Sequence, residues 1–305
     1  MDADALVIGG GPAGAASAIL LAREGWRVIL TERHAFPRRK VCGECLNAGS
    51  VELLDELGVG ESFRRLAGPE LRRTAWLGTG AAAHGALPPC TASRYAYGRV
   101  LGRDRLDPLL LERAATDGAT VLQPVRARAI RAIEGGIEGD LLGADLATRL
   151  RVRIVVAAHG SWEPAPAEDA PGPPAHLPHR PGDLFAFKAH FANARLGPGL
   201  LPVLSFPGGY GGIVVGDGAR TTLACCVRRD ALHRARTAAP GTPAGVAVER
   251  WLVQHCAGLA DLLHGATRLG GWLSVGPIRP GVRVAAAPPR VFRVGNAAGE
   301  SHPLV

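Results

Sequence analysis

Four apolar residues, Ala5 to Ile8, run straight into Gly9-Gly10-Gly11-Pro12-Ala13-Gly14, and this junction limits the fold more than any other feature. The run predicts a short buried strand. Ala13 to Glu24, rich in Ala and Leu, predicts a helix, and Trp26 to Leu30 the next strand. Glycines 9, 11 and 14 fit a G-x-G-x-x-G turn, in which the first bends the chain tightly. The second bares the backbone for an approaching diphosphate, and the third lets helix and strand pack closely. Pro12 and Ala13 then open a helix whose free N–H groups and partial positive charge suit that diphosphate. Glu32 lies about twenty residues beyond the glycines, where a carboxylate accepts both hydroxyls of an adenosine ribose. With strand, helix, strand and acid in phase, the expectation is dinucleotide binding on a Rossmann-like α/β fold.

Composition narrows the partners. The 305 residues suffice for one large domain or two ordinary ones, and their apolar content is that of a globular chain. The net charge of +8 raises nucleic acid or a membrane surface as partners. The basic residues are nearly all scattered arginines, with Lys40 and Lys188 the only lysines, and no basic run is interleaved with aromatics. No nucleic-acid partner is therefore expected. The acidic start Met1-Asp2-Ala3-Asp4 lacks the basic n-region of a secretory signal, and the apolar stretch to Ala22 is broken by Gly and Pro. A cytoplasmic protein with six thiols rather than a disulfide frame is expected, with no transmembrane segment. Peripheral membrane contact stays open for a lipid substrate.

Further along, Asn47 or Ser50 predicts the cap of a helix through Val51–Leu57 closed by Gly58. Arg103 to Thr116 has Leu106, Leu109, Leu110 and Ala114 on one helical face, and Thr120 to Leu122 starts a strand. Two β runs are expected at 127–133 and 150–158. The stretch from Trp162 to Asp183, dense in Pro and Ala, reads as a linker. Runs at 185–191, 200–206, 212–215 and 221–227 are spaced like antiparallel strands with Gly-rich turns, and Val246 to Cys256 is the one good helix among them. Val291 to Val294 predicts a last strand leading into Gly295-Asn296-Ala297-Ala298-Gly299.

Four segments share an order and spacing with a known group: the glycine loop with Glu32-Arg33, Lys40-Val41-Cys42-Gly43-Glu44, Arg103-Asp104-Arg105-Leu106-Asp107, and Val294 to Gly299 before His302-Pro303-Leu304. Over almost its whole length the chain resembles FAD-dependent oxidoreductases of the geranylgeranyl reductase type. These fall within the wider class of para-hydroxybenzoate hydroxylase-like monooxygenases and flavin halogenases. The resemblance implies an FAD-binding Rossmann-like domain, from residues 1–80, 98–165 and 281–305, with an inserted, mostly antiparallel substrate region at 81–97 and 166–280. It implies that Gly9, Gly11, Gly14 and Glu32 hold the ADP half of FAD and that Arg103 lies against the cofactor. Lys40, Cys42 and Gly43 fall in the loop that lines the flavin in that family. The family's Gly-Asp-Ala-Ala segment reads Gly295-Asn296-Ala297-Ala298 here, where Asn still bonds a ribityl hydroxyl. Its Asp-Gly pair reads His159-Gly160, a departure that bears on NAD(P)H as the reductant. Family members continue past His-Pro-Leu into another turn and helix, so a shortened C-terminus is expected at Val305.

Candidate chemistry starts from Cys42-Gly43-Glu44-Cys45, a C-x-x-C with three readings. Zinc needs a second ligand pair, and Cys225-Cys226 are adjacent while His190 is isolated, so no metal site is expected. A redox disulfide beside flavin would want a second nucleotide fingerprint, which residues 120 to 220 lack. A loop lining the flavin, with Cys42 near the ring, is the favoured reading. Tyr210, in Phe206-Pro207-Gly208-Gly209-Tyr210-Gly211-Gly212, is the second catalytic candidate: isoprenoid reductases carry a similar Tyr-Gly-Trp, but Gly212 stands in place of Trp. A plain β turn explains the same residues equally well. The tryptophan pair of flavin halogenases is missing, Trp272 standing alone, and neither Lys40 nor Lys188 is identifiable as their lysine. His34, His159, His190 and His302 titrate near neutrality, yet no spacing singles one out. The expected function is hydride exchange between flavin and a hydrophobic small molecule; the alternatives are an oxygen-using hydroxylase and a flavin binder without turnover.

Overall fold

The computed structural model describes residues 1–161, 178, 180–282 and 288–302. Strand β1 (Ala5–Ile8) is buried along its whole length, as its unbroken apolar run requires of a strand covered on both faces. It sits at the centre of a five-stranded sheet ordered Val291–Arg293, Ile154–Ala157, β1, β2 (Val28–Thr31) and Thr120–Leu122. Every neighbouring pair in that sheet is parallel. Helix α1 (Pro12–Arg23) makes the crossover from β1 to β2, with Pro12 in its first turn, where a missing N–H costs nothing.

Alternation along β1 decides what covers each face. Ala5 and Val7 pack with Ala15, Ala18 and Ile19 of α1 and with Leu106 and Leu110 of the helix Arg103–Thr116. Leu6 and Ile8 face the other way, onto an antiparallel meander of Val125–Ile133, Gly136–Gly143 and Ala147–Val152. The β run expected at 150–158 is two strands: Ala147–Val152 ends the meander and Ile154–Ala157 enters the parallel sheet. The chain changes sheets at Arg153 without a Gly or Pro to mark it. No reading of the sequence placed Gly136–Gly143, whose glycines and acids hide its pairing.

A second, eight-stranded sheet runs Thr267–Arg268, Leu184–Ala192, Thr221–Arg228, Gly209–Val215, Leu200–Phe206, Arg73–Gly78 and Ala81–Ala86, with Leu273–Ile278 also on Leu184–Ala192. Its pairings are antiparallel except that of Leu200–Phe206 with Arg73–Gly78. One face is covered by the helices Arg229–Ala238 and Ala244–His255, which bury Phe187, Leu204, Ile213 and Leu223. Val246–Cys256 is thus not the one helix of this region. Arg229–Ala238 escaped notice because it buries only Ala231 and Ala235 and turns an arginine-rich face outward. Residues 162–177 and 179 of the expected linker lie outside the described residues, as do Pro303 and Leu304. Among the described residues no helix is long and apolar enough to cross a membrane.

Candidate functional site

Four of the segments singled out for the nucleotide leave the carboxyl end of a parallel strand. The glycine loop follows β1, Glu32 follows β2, His159-Gly160 follows Ile154–Ala157, and Gly295 follows Val291–Arg293. In open α/β sheets this is the edge where ligands bind. The glycines there answer to different constraints. A Cβ on Gly14 would meet the Gly9 carbonyl oxygen at 1.9 Å, so this glycine sets how closely helix and turn approach. Gly9 has φ +109° and would strike the Ala158 carbonyl oxygen at 2.5 Å. Gly11 is different: a Cβ there meets only the Arg103 guanidinium, at 3.6 Å. Gly11 precedes α1 and no side chain caps it, leaving first-turn N–H groups to a ligand.

Glu32 is fixed before any ligand arrives. Its Oε2 accepts from Gly10 N at 3.0 Å and its Oε1 from His34 N at 3.0 Å, with Arg38 Nη2 at 3.5 Å. A carboxylate has about four acceptor positions, so some remain for hydroxyls of a sugar. Around it opens a cleft of about 480 Å³, lined by Gly9, Gly11, Thr31, Glu32, Arg33 and Lys40 and closed on the far side by Leu273, Ser274 and Val275 of the large sheet. Two buried polar atoms on its wall, Thr31 Oγ1 and Arg38 Nε, have no hydrogen-bond partner among the described residues. Burial and the Arg33 charge pull the His34 imidazole below its ordinary value.

Of the remaining expected residues, Arg103 and Gly160 approach residues that line this cleft, Gly11 and Lys40. Arg103 reaches Gly11, holds Asp107 (Nη2 to Oδ2, 2.8 Å), and its guanidinium meets the Cys42 thiol. A Cβ on Gly295 would come within 2.7 Å of Ala13 Cβ, so the last strand delivers Gly295, Asn296 and the buried Ala297 against the start of α1. Asn296 Nδ2 donates to Glu300 Oε1 at 3.3 Å and approaches Ser161 Oγ at 3.5 Å. Gly160, at φ +85°, faces Lys40, and Gly43 has open space around it. Tyr210 lies on the large-sheet strand Gly209–Val215. It stacks on His302, with Oη 3.4 Å from Nδ1, and packs with Val41 and Val275 against one small apolar cluster.

Sequence reasoning missed a second polar centre directly beneath the Lys40–Glu44 loop. Glu44 accepts from Lys188 Nζ, from His190 Nε2 at 3.1 Å, from Thr222 Oγ1 at 2.7 Å and from the backbone N–H of Arg103 at 3.1 Å. All four side chains are at most 2% exposed. Burial alone works against the Glu44 charge, but the His190 bond and the Lys188 charge hold its carboxyl well below the usual range. His190 seemed isolated and Lys188 merely internal to a strand. The available signal was their spacing: two apart on Leu184–Ala192, they share a face opposite Phe187, Ala189 and Phe191.

Residues 2–168 match the family described as FAD binding domain. The chain belongs to that family. Its cradle suits the cofactor: the open face of Gly11, the uncapped helix start, the anchored Glu32 and the two unpartnered polar atoms are what an ADP moiety requires. Aklavinone 12-hydroxylase DnrF of Streptomyces peucetius is 30% identical over 179 residues, covering 52% of this chain and 36% of that protein. The chondrochloren halogenase CndH, from a myxobacterium, shares the fold with a TM-score of 0.81 at 21% identity, over 99% of this chain and 70% of the other. A geranylgeranyl bacteriochlorophyll reductase-like protein from Thermoplasma acidophilum does so at 0.73 and 21%, over 97% and 71%. The chain spans 22% to 38% of the length of the first curated relatives it matches. The family is therefore broader than the expected reductase type, and several solved structures of this fold are halogenases.

Proposed function

We propose that this chain is the FAD-binding and substrate-facing part of an oxidoreductase that exchanges hydride between flavin and a hydrophobic small molecule. The observation that carries this reading is the cleft shared by Gly11, Glu32 and the large-sheet strand Leu273–Ile278. On this reading Gly9, Gly11, Pro12, Ala13 and Gly14 cradle the diphosphate and Glu32 grips the ribose, with Arg33 beside it. Arg103, Lys40, Cys42, Gly43, Gly160, Gly295, Asn296 and Ala297 line the flavin side. Bound FAD supplies the two-electron chemistry, and the protein binds, orients and shields it. Cys42 and Tyr210 are the groups assigned to the substrate side, Tyr210 with its hydroxyl kept protonated by burial. The nucleotide-binding division into 1–80, 98–165 and 281–305, and the substrate-binding division into 81–97 and 166–280, belong to the same proposal. So does a cytoplasmic setting, in keeping with six free cysteines.

A hydroxylase that uses NAD(P)H and oxygen is the second reading, favoured by the 30% identity to aklavinone 12-hydroxylase DnrF. One comparison separates the two. NADPH oxidation by the FAD-loaded protein with release of hydrogen peroxide supports the hydroxylase. Anaerobic reduction of an alkene or dehydrogenation of an apolar substrate, without oxygen consumption, supports hydride exchange. A loaded protein showing neither contradicts both.

A further inference from the structure

We propose that Glu44 is a positioning residue for cofactor binding, through which the large sheet sets the place of Arg103 and of the Lys40–Glu44 loop at the glycine turn. The inference rests on the FAD reading above and adds a determinant outside the nucleotide fingerprint.

The linkage can be followed atom by atom. Lys188, His190 and Thr222 belong to two neighbouring strands of the large sheet, and all three donate to the Glu44 carboxylate. The same carboxylate accepts from the backbone N–H of Arg103, the first residue of its helix. The Arg103 guanidinium then lies beside Gly11 and Cys42. Lys188 Nζ also donates to the Lys40 carbonyl at 3.1 Å, so one ammonium holds both ends of the loop. A further bond ties the cleft wall to this centre, from Arg39 Nη2 to His190 Nδ1 at 2.7 Å. Arginine only donates, so Nδ1 accepts, and the proton of the neutral ring sits on Nε2, facing Glu44. Glu44 itself has φ +63°, a left-handed backbone that glycine adopts freely and glutamate does not. Its side-chain bonds hold it there. A passive core ion pair would need neither the loop carbonyl nor the helix N–H.

The test compares E44Q and K188M with D183N. Asp183 directly precedes the strand of Lys188, is buried, and is paired with Arg279 at 2.8 Å; among the described residues its carboxylate otherwise accepts only from the Arg180 backbone N–H, at 2.9 Å. Each apoprotein, made in a C45S/C90S background, is titrated with FAD below its melting point and alkylated with iodoacetamide to follow Cys42. E44Q and K188M should weaken FAD binding about tenfold, the scale of coupling between contacting groups. They should also speed Cys42 alkylation. D183N should lower the melting point and change neither. If E44Q does not fold, E44Q/K188M carries the same two readouts without leaving one buried charge unpaired. Wild-type FAD affinity and Cys42 reactivity in the Glu44 variants overturn the proposal, as does an equal loss of affinity in D183N. Failure of the unmutated protein to take up FAD instead contradicts the cofactor reading, while Cys42 alkylation still reports on the loop.

Discussion

Glu32 Oε2 accepts a hydrogen bond from Gly10 N at 3.0 Å, joining the end of β2 to the turn after β1. The carboxylate that would hold the ribose therefore also braces the glycine turn. Glu32→Ala removes both roles. Leaving the buried Gly10 N–H unpaired should cost about 1–3 kcal/mol of stability, and the more exposed His34 N–H less. Each lost bond to a sugar hydroxyl should cost a further ~1.5–3 kcal/mol of FAD binding. Thermal melts and FAD titration measure the two effects separately; unchanged FAD affinity would remove Glu32 from the site.

Gly11 and Gly14 should respond in opposite ways. Gly11 has an extended backbone (φ −71°, ψ 178°) and a Cβ there meets only the far end of the Arg103 side chain, at 3.6 Å, so Gly11→Val should melt within about 0.5 kcal/mol of wild type while its branches fill the diphosphate cradle. FAD retention is lost and the fold kept. Gly14→Ala should damage the fold itself, because its new carbon meets the Gly9 carbonyl. Retention of FAD by folded Gly11→Val would place the diphosphate elsewhere.

The contrast between these glycines shows what the sequence discloses. The motif and its strand, helix and acid were legible because local pattern dictates them: buried β1, α1 from Pro12, and Arg103–Thr116 all form where the apolar period requires. Asn47 caps its helix by accepting from Ser50 N. What stayed hidden depends on distant residues. Glu44 meets Lys188, His190 and Thr222 across 144 to 178 positions, a juxtaposition no local period announces. The switch of sheets at Arg153 is equally silent, since Ala147–Val152 runs into Ile154–Ala157 with only Arg153 between them and no turn residue.

Acid should weaken the protein through Asp183. The Arg279 bond, opposed in part by burial, lowers the Asp183 carboxyl from 3.8 to about 2. A carboxyl depressed in the folded state contributes stability that is complete above its unfolded value and is lost as pH falls through the folded one. The melting-point gap between wild type and Asp183→Asn should therefore be constant above about pH 5 and close between pH 3.8 and about 2. A gap that persists at the acid limit would exclude this ion pair as its source.

Tyr210 should prove separable from the cofactor. Burial and the neighbouring Cys226 raise its hydroxyl above the ordinary tyrosine value, so at neutral pH it is a donor. Tyr210→Phe should lose about 0.5–1.5 kcal/mol or less with its contact to His302, keep FAD affinity, and reduce turnover of any substrate that accepts from the phenol. Parallel FAD titration and steady-state assays check this. A weakened FAD complex would move Tyr210 to the cofactor side.

The most direct measurement is identification of the flavin taken up by the folded chain. Purified protein is incubated with FAD, freed of excess by gel filtration and denatured, and the released cofactor is identified by absorbance and chromatography. Intact FAD approaching one per chain, abolished in Gly11→Val but kept in Tyr210→Phe, is the predicted result. A folded wild-type protein that emerges colourless from micromolar FAD would contradict the account at its root.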